Sequence, residues 1–391
     1  MPDRRSLAYA ALAAAVVLGW QAATVRVNYG GNWTALFCTG ARNGVPPSLA
    51  AEHIYQFPHS SGFDGQMYHY VAHDPRVRTP DLKNYVDAPG LRYRRILVPG
   101  LAYLLAAGHA SWIDRAYYAV ILLSIAAGVY WSASFCRAHN CAAAWGLLFA
   151  LLPAALIAMD RMAIDVSLAA LAAAFACYAR TPSWRLFLVL AAAPLARETG
   201  FLLPAAYCLH LTLERRFRQA AVWSLAIVPT LVWYWYVGSH VPYRGYEFNM
   251  IPLSAVWTNW LHPFAYPSAM RFRWLVVLGD RLALVGMLAA FALAIYWLLR
   301  RRPDPLSLAT LFFVALGVLF QKNENWAQVY DYGRVYSPVL LFLGFEGCTR
   351  RAAIALAPLG LILPRIGMQL WSQIQGVLTA AFQLSILNST R

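Results

Sequence analysis

Residues 186–213 read LFLVLAAAPLARETGFLLPAAYCLHLTL, a 28-residue, largely apolar stretch in which Arg197 and Glu198 are the only Asp, Glu, Lys or Arg residues. A helix rises about 1.5 Å per residue and a bilayer core is about 30 Å thick, so roughly 20 such residues suffice to cross it. The stretch therefore reads as membrane-embedded, with an ionisable pair near its middle, where charge is costly and usually functional. Adjacent positions on a helix point in different directions, so Arg197 and Glu198 need not satisfy each other. Pro194 and Gly200 flank the pair and permit a broken helix whose freed amides could meet a phosphate. The structural alternative is an ion pair to Asp160, Asp165 or another helix.

Working outward, similar apolar runs occupy about 7–25, 96–110, 116–135, 142–159, 164–179, 219–238, 275–299, 306–320, 336–348 and 352–364. A Gln-bearing stretch at 366–387 either spans or lies in the interface. The expectation is an all-α polytopic membrane protein of about 10–12 transmembrane helices, with 1–391 as one integral-membrane domain. Composition agrees: the 391 residues are 60% apolar and 13% charged, with mean hydropathy +0.49, against about a quarter charged in soluble domains. Soluble single-domain enzymes, disordered chains and disulfide scaffolds are excluded. Of 32 basic residues only Lys83 and Lys322 are lysine. Arginine suits bidentate phosphate binding at a membrane surface. The basic residues lie between apolar spans rather than on one soluble face, which argues against a nucleic-acid partner.

The first run follows Met-Pro-Asp-Arg-Arg and ends in Ala22-Ala23-Thr24, a poor cleavage site, so it reads as a retained helix with a cytoplasmic N-terminus. Arg215-Arg216-Arg218 and Arg300-Arg301-Arg302 are further cytoplasmic anchors. Two insertions, 26–95 and 239–274, then fall on the extracytoplasmic side. The side of Asp160 and Asp165 depends on whether 96–110 crosses and whether 186–213 breaks at Arg197. Both residues, with Arg161, read as structural; Asp280, Arg281 and Glu346 read as helix-end charges. The aromatic residues of 223–266 (Trp233, Tyr234, Trp235, Tyr243 and Tyr246 among them) read mainly as an interfacial belt. The six cysteines show no metal spacing, and neither a disulfide nor zinc is assigned.

The first long loop holds the densest polar signal. Ser60-Ser61-Gly62 is a turn, Asp64 opens a short helix, and Asp74-Pro75 ends it. Phe63, Met67 and Val71 form an apolar stripe suited to the headgroup layer. Asp64 and Tyr68 lie one turn apart on a shared face. A carboxylate so placed either caps the helix or accepts a proton from a bound hydroxyl. His53, His59, His69 and His73 cluster only loosely, and no metal ligand is assigned. Asn388-Ser389-Thr390 fits a glycosylation sequon without a context for its use. Asp331 and Arg334 sit in a polar, aromatic late loop, which reads either as a solvated connection or as part of a sugar site.

Asp64, Gly65, Tyr68 and Ala72, in a D-G-x-x-Y-x-x-x-A helix after a first span, carry a resemblance. So do Tyr93-Arg94-Arg95-Ile96-Leu97-Val98-Pro99-Gly100-Leu101, Leu195-Ala196-Arg197-Glu198-Thr199-Gly200 and Asp331-Tyr332-Gly333-Arg334-Val335-Tyr336-Ser337-Pro338. Together they resemble the GT-C superfamily of membrane glycosyltransferases. Within it they are similar to bacterial relatives of PIG-V-type mannosyltransferases and to inner-membrane proteins of cell-surface glycopolymer formation. The matches cover about a tenth of the chain. The resemblance implies transfer of a sugar from a polyprenyl-phosphate donor to a glycan or lipid-linked acceptor hydroxyl, with inversion, at the outer face of a bacterial inner membrane. It implies Asp64 as base, with Tyr68, Arg94, Arg95, Arg197, Glu198, Asp331 and Arg334 binding substrate; Arg92 is a further cationic candidate. The chain lacks a DxD pair in its second short loop, which leaves a divalent metal undecided, and it lacks a large soluble C-terminal domain. The alternative function is a transporter or flippase for an anionic lipid-linked saccharide, motivated by intramembrane Arg197.

Overall fold

A computed structural model describes residues 3–242, 249–267, 270–300 and 303–389, the last six as backbone. The fold is all-α, and the one sheet among these residues is a two-residue parallel pairing of Thr39–Gly40 with Gln56–Phe57. Arg301, Arg302, Tyr243, Tyr246 and the sequon side chains lie outside the described residues.

Four helices are long and apolar enough to cross a bilayer: Arg4–Asn28, Ala110–Ala138, Phe217–His240 and Arg273–Leu298. Two further apolar stretches are bent pairs, Ala143–Leu151 with Pro153–Arg161 at 57° and Ala353–Gln369 with Trp371–Gln383 at 63°. Counting each bent pair as one span raises the total to six, and Asp165–Tyr178, Trp184–Ala196 and Pro305–Leu319 are apolar but shorter. Length and composition thus support fewer spans than the sequence suggests, because several apolar runs are broken.

The run at 96–110 bears on the first open alternative. It forms only a nine-residue helix, Leu97–Leu105, after which the chain turns through Ala106–His109 into the Ala110–Ala138 helix. Asp114, in the second turn of that helix, touches His69 of the first loop, so the run leads back to the first loop. The run at 186–213 does break where Arg197 and Glu198 interrupt it. Trp184–Ala196 stops at Arg197, which has extended backbone, and a 3-10 turn at Glu198–Phe201 leads into Leu202–Leu213.

The long helices fix two ends of the molecule. At one, Arg137 pairs with Asp3, Arg180 meets His139 at 3.0 Å, and Trp297 lies under Arg350. Cys141 and Cys348 are joined there across 207 residues, with Cα atoms 6.4 Å apart, which corrects the expectation of no disulfide. Nothing in the local sequence signals a contact of that range. At the other end lie the first loop, Asp160, Asp165 and the start of Ser337–Arg350.

The 26–95 segment is a folded lobe. Gln66, fully buried, accepts from the Gly40 amide and donates to the Gly44 carbonyl and the Tyr70 hydroxyl, tying the helix Asp64–His73 to the loop before it. Met67 and Val71 pack inside the lobe with Tyr70, Leu82 and Tyr93, so the expected headgroup stripe is instead a protein core. Trp233 donates to the Tyr93 carbonyl and Tyr236 to the Arg76 carbonyl, so part of the aromatic belt clamps this lobe. Asp280 is also corrected: it is buried inside Arg273–Leu298 and pairs with Arg365 at 2.7 Å. Glu346 pairs with Arg350 one turn on, at the helix end.

Candidate functional site

The helix Asp64–His73 is capped by Phe63, and no side chain caps its first turn. Asp64 is thus the first helical residue rather than the N-cap. Its position depends on Gly65, whose Cβ, if present, would collide with the Arg161 carbonyl. The missing side chain lets the helix start abut the end of Pro153–Arg161, which turns Asp64 inward.

There Asp64 meets two guanidinium groups. Arg92 lies 2.8 Å from one carboxylate oxygen and Arg334 2.5 Å from the other. Arg334 is shared further, with Asp331 at 3.0 Å and Asp165 at 3.4 Å. Asp165 also holds Arg197, which lies 3.7 Å from Glu198. Glu198 receives both arms of Arg95, at 2.8 and 2.6 Å. The Tyr68 hydroxyl closes the ring by accepting from Arg95 at 2.8 Å and Arg92 at 3.2 Å. Arg92 is anchored from behind by Asp87 at 2.8 Å.

One continuous network therefore joins segments that are far apart in sequence. It contains Asp64, Tyr68, Arg95, Arg197, Glu198, Asp331 and Arg334, all of them expected site residues. Arg94 takes a separate place, stacked 4.9 Å from the Tyr234 ring centroid. Asp165 and Asp87 are members that sequence reasoning did not place in the site; Asp165 pairs with Arg197, the ion pair set out above as the structural alternative, and also reaches Arg334. Its sequence signal was an acidic residue at the start of an apolar helix, within reach of the intramembrane Arg197.

Electrostatics sets the state of the site. Burial pushes the Asp64 carboxyl up, but Arg334 and Arg92 outweigh it and hold the group well below the usual carboxylate range. Asp64 is therefore ionised, with its side chain only 16% exposed. Asp87, Glu198 and Asp331 are the more open carboxylates, at 45%, 40% and 35%. The guanidinium groups are each matched by carboxylates, as buried charge requires.

Beside the network, Phe63 is sandwiched between Arg334 and Arg161, each 5.0 Å from its ring centroid. Arg161 also lines a polar cavity of about 510 Å³, together with Tyr29, Cys38, Ser60, Asp160 and Gln373 among others. Asp160 is buried there against Arg161 and Gln373. On a different face of the Asp64–His73 helix, His69 and His73 converge with Glu52 and Asp114, a set able to hold a metal ion. His53 and His59 stand apart from it and are exposed. Comparison with protein-family models, curated proteins and solved structures finds no match.

Proposed function

We propose that the protein is a membrane glycosyltransferase that moves a sugar from a polyprenyl-phosphate donor to an acceptor hydroxyl at the end of the molecule carrying the first lobe. The observation that carries this reading is the convergence of one buried carboxylate, Asp64, with Arg92, Arg95, Arg197 and Arg334 in a single network. Such transfer needs cationic groups where the leaving phosphate gains charge, and fixed guanidinium groups in a water-poor site meet that need.

In the proposed reaction the acceptor oxygen attacks the anomeric carbon as the carbon–oxygen bond to phosphate breaks. Polyprenyl phosphate leaves with the bonding pair, and the hydroxyl proton passes to a carboxylate. A carboxylate pinned by two guanidinium groups is a weak base. A donor phosphate that draws Arg334 and Arg92 toward itself would relieve Asp64 and raise its proton affinity as transfer begins. The polar cavity that Arg161 lines offers room for a sugar or acceptor. Localisation in a bacterial inner membrane belongs to the same reading; the long apolar helices support the coarser statement, a multi-pass membrane protein.

A second reading, a transporter or flippase, is favoured by the helix broken at Arg197. One experiment separates the two. Purified protein in liposomes is given a panel of radiolabelled polyprenyl-phosphate sugars with candidate acceptors. Transfer predicts a new glycosidic bond formed from phosphate-linked donors; movement of intact donor across the bilayer without a new bond would contradict it and support the flippase.

A further inference from the structure

We propose that Glu52, His69, His73 and Asp114 form a binding site for one divalent transition-metal ion, zinc by its donor set, that fastens the first lobe to the membrane bundle. The proposal stands independently of the transfer chemistry. Three separate segments supply the four donors. Glu52 ends the 3-10 helix Pro47–Glu52, His69 and His73 lie one turn apart on the helix Asp64–His73, and Asp114 lies near the start of Ala110–Ala138.

The donor atoms face one another at the right spacing. His69 Nε2 lies 2.7 Å from Asp114 Oδ1 and 3.2 Å from His73 Nε2. His73 Nε2 lies 3.4 Å from Glu52 Oε2 and 3.5 Å from Asp114 Oδ1, and His69 Nε2 lies 4.0 Å from Glu52 Oε2. A tetrahedral ion with bonds of about 2.0–2.1 Å sets its ligand atoms roughly 3.3 Å apart, and these distances scatter about that edge. Two imidazole nitrogens with two carboxylate oxygens suit zinc, and four protein donors describe a closed, structural site.

The surroundings favour an ion there. Glu52 Oε2 is buried and takes no hydrogen bond among the described residues, although it faces the two imidazoles. The His69 and His73 side chains are 0% and 3% exposed, while the two carboxylates keep a wetter edge through which an ion can enter. Phe37 stacks on the His69 ring at 3.9 Å with planes 6° apart, fixing its orientation. One divalent charge would neutralise both carboxylates. The cost lies at His69 Nδ1, buried without an acceptor, which metal coordination through Nε2 has to outweigh.

The test uses the full-length protein in detergent, stripped with a chelator, loaded with zinc chloride, freed of loose ion and measured by plasma mass spectrometry. The wild type should retain about one equivalent and melt lower after stripping, as metal-coupled folding requires. His73→Ala and Asp114→Asn should lose the ion and the chelator response. A His53→Ala/His59→Ala variant, altered at exposed histidines of the same lobe, should keep both. Retention below about a tenth of an equivalent in the wild type, with a melting point indifferent to chelator, would show an imidazolium–carboxylate cluster instead. Retention of a full equivalent by the folded variants would also overturn the proposal. If the variants fail to fold, stripping and reloading the wild type still decides.

Discussion

Arg334 touches Asp64, Asp165 and Asp331 at once, so its guanidinium fixes the geometry of three carboxylates from three segments. The consequence for Asp64 is a carboxyl held well below its ordinary range, against the opposing effect of burial. A lowered folded value means stability that is present above the unfolded pKa and lost as pH falls. The Asp64 contribution should therefore be complete above about pH 4 and decline below it. Melting midpoints of wild type and Asp64→Asn should differ by a constant amount from pH 6 to 8, with the gap narrowing below about pH 4. A gap that closes near neutrality would mean that the guanidinium groups do not hold the carboxyl. Much of this network was legible in the sequence, because charges in or beside apolar runs are too costly to be incidental. Asp165 was legible only in part: its pairing with Arg197 was one of the alternatives, but the second arginine reaches it from residue 334, far along the chain. The histidine pair was missed for a similar reason: its carboxylate partners sit 17 and 45 residues from His69, at Glu52 and Asp114.

At the scale of elements, the decisive feature is the break between Trp184–Ala196 and Leu202–Leu213. Gly200 makes it possible: a Cβ there would collide with the Ala193 carbonyl and crowd Pro194. Gly200→Ala should cost about 1–3 kcal/mol, as overpacking does, and displace Arg197 and Glu198 from Asp165 and Arg95. Denaturation of the purified variant measures the first effect; an unchanged stability would mean that the break tolerates a side chain. Pro194, Gly200 and the flanking charges made this break readable in advance. The run at 96–110 stayed undecided in the sequence for the opposite reason. Hydropathy reports that a run is apolar, not that it is straight, and the turn at Ala106–His109 ends that helix after nine residues.

For the whole molecule, the two ends differ in character. Arg4, Arg5, Arg137, Arg180 and Arg350 gather at the end where Asp3 meets Arg137, and Asp64, Asp165 and the first lobe occupy the other. On the proposed reading, the positive-inside rule predicts the N-terminal end in the cytoplasm and the network outside. The Cys141–Cys348 bridge pulls against that assignment, because bridges persist in oxidising compartments. Single cysteines placed at His59 and Arg350 in a cysteine-free background should label from outside and inside, respectively, in intact cells. Labelling in the reverse pattern would invert the assignment. The sequence conveyed this alternation only in outline, since the side of Asp160 and Asp165 depended on the run that turns back.

The central claim is that the Asp64–arginine network performs transfer. Its most direct measurement is product formation by wild type and Asp64→Asn, reconstituted side by side with a polyprenyl-phosphate sugar and an acceptor that the wild type uses. The account predicts that Asp64→Asn inserts, stays folded and still binds the donor, but loses transfer by about 100-fold or more, the scale of general-base catalysis. Full transfer by the folded variant would contradict it.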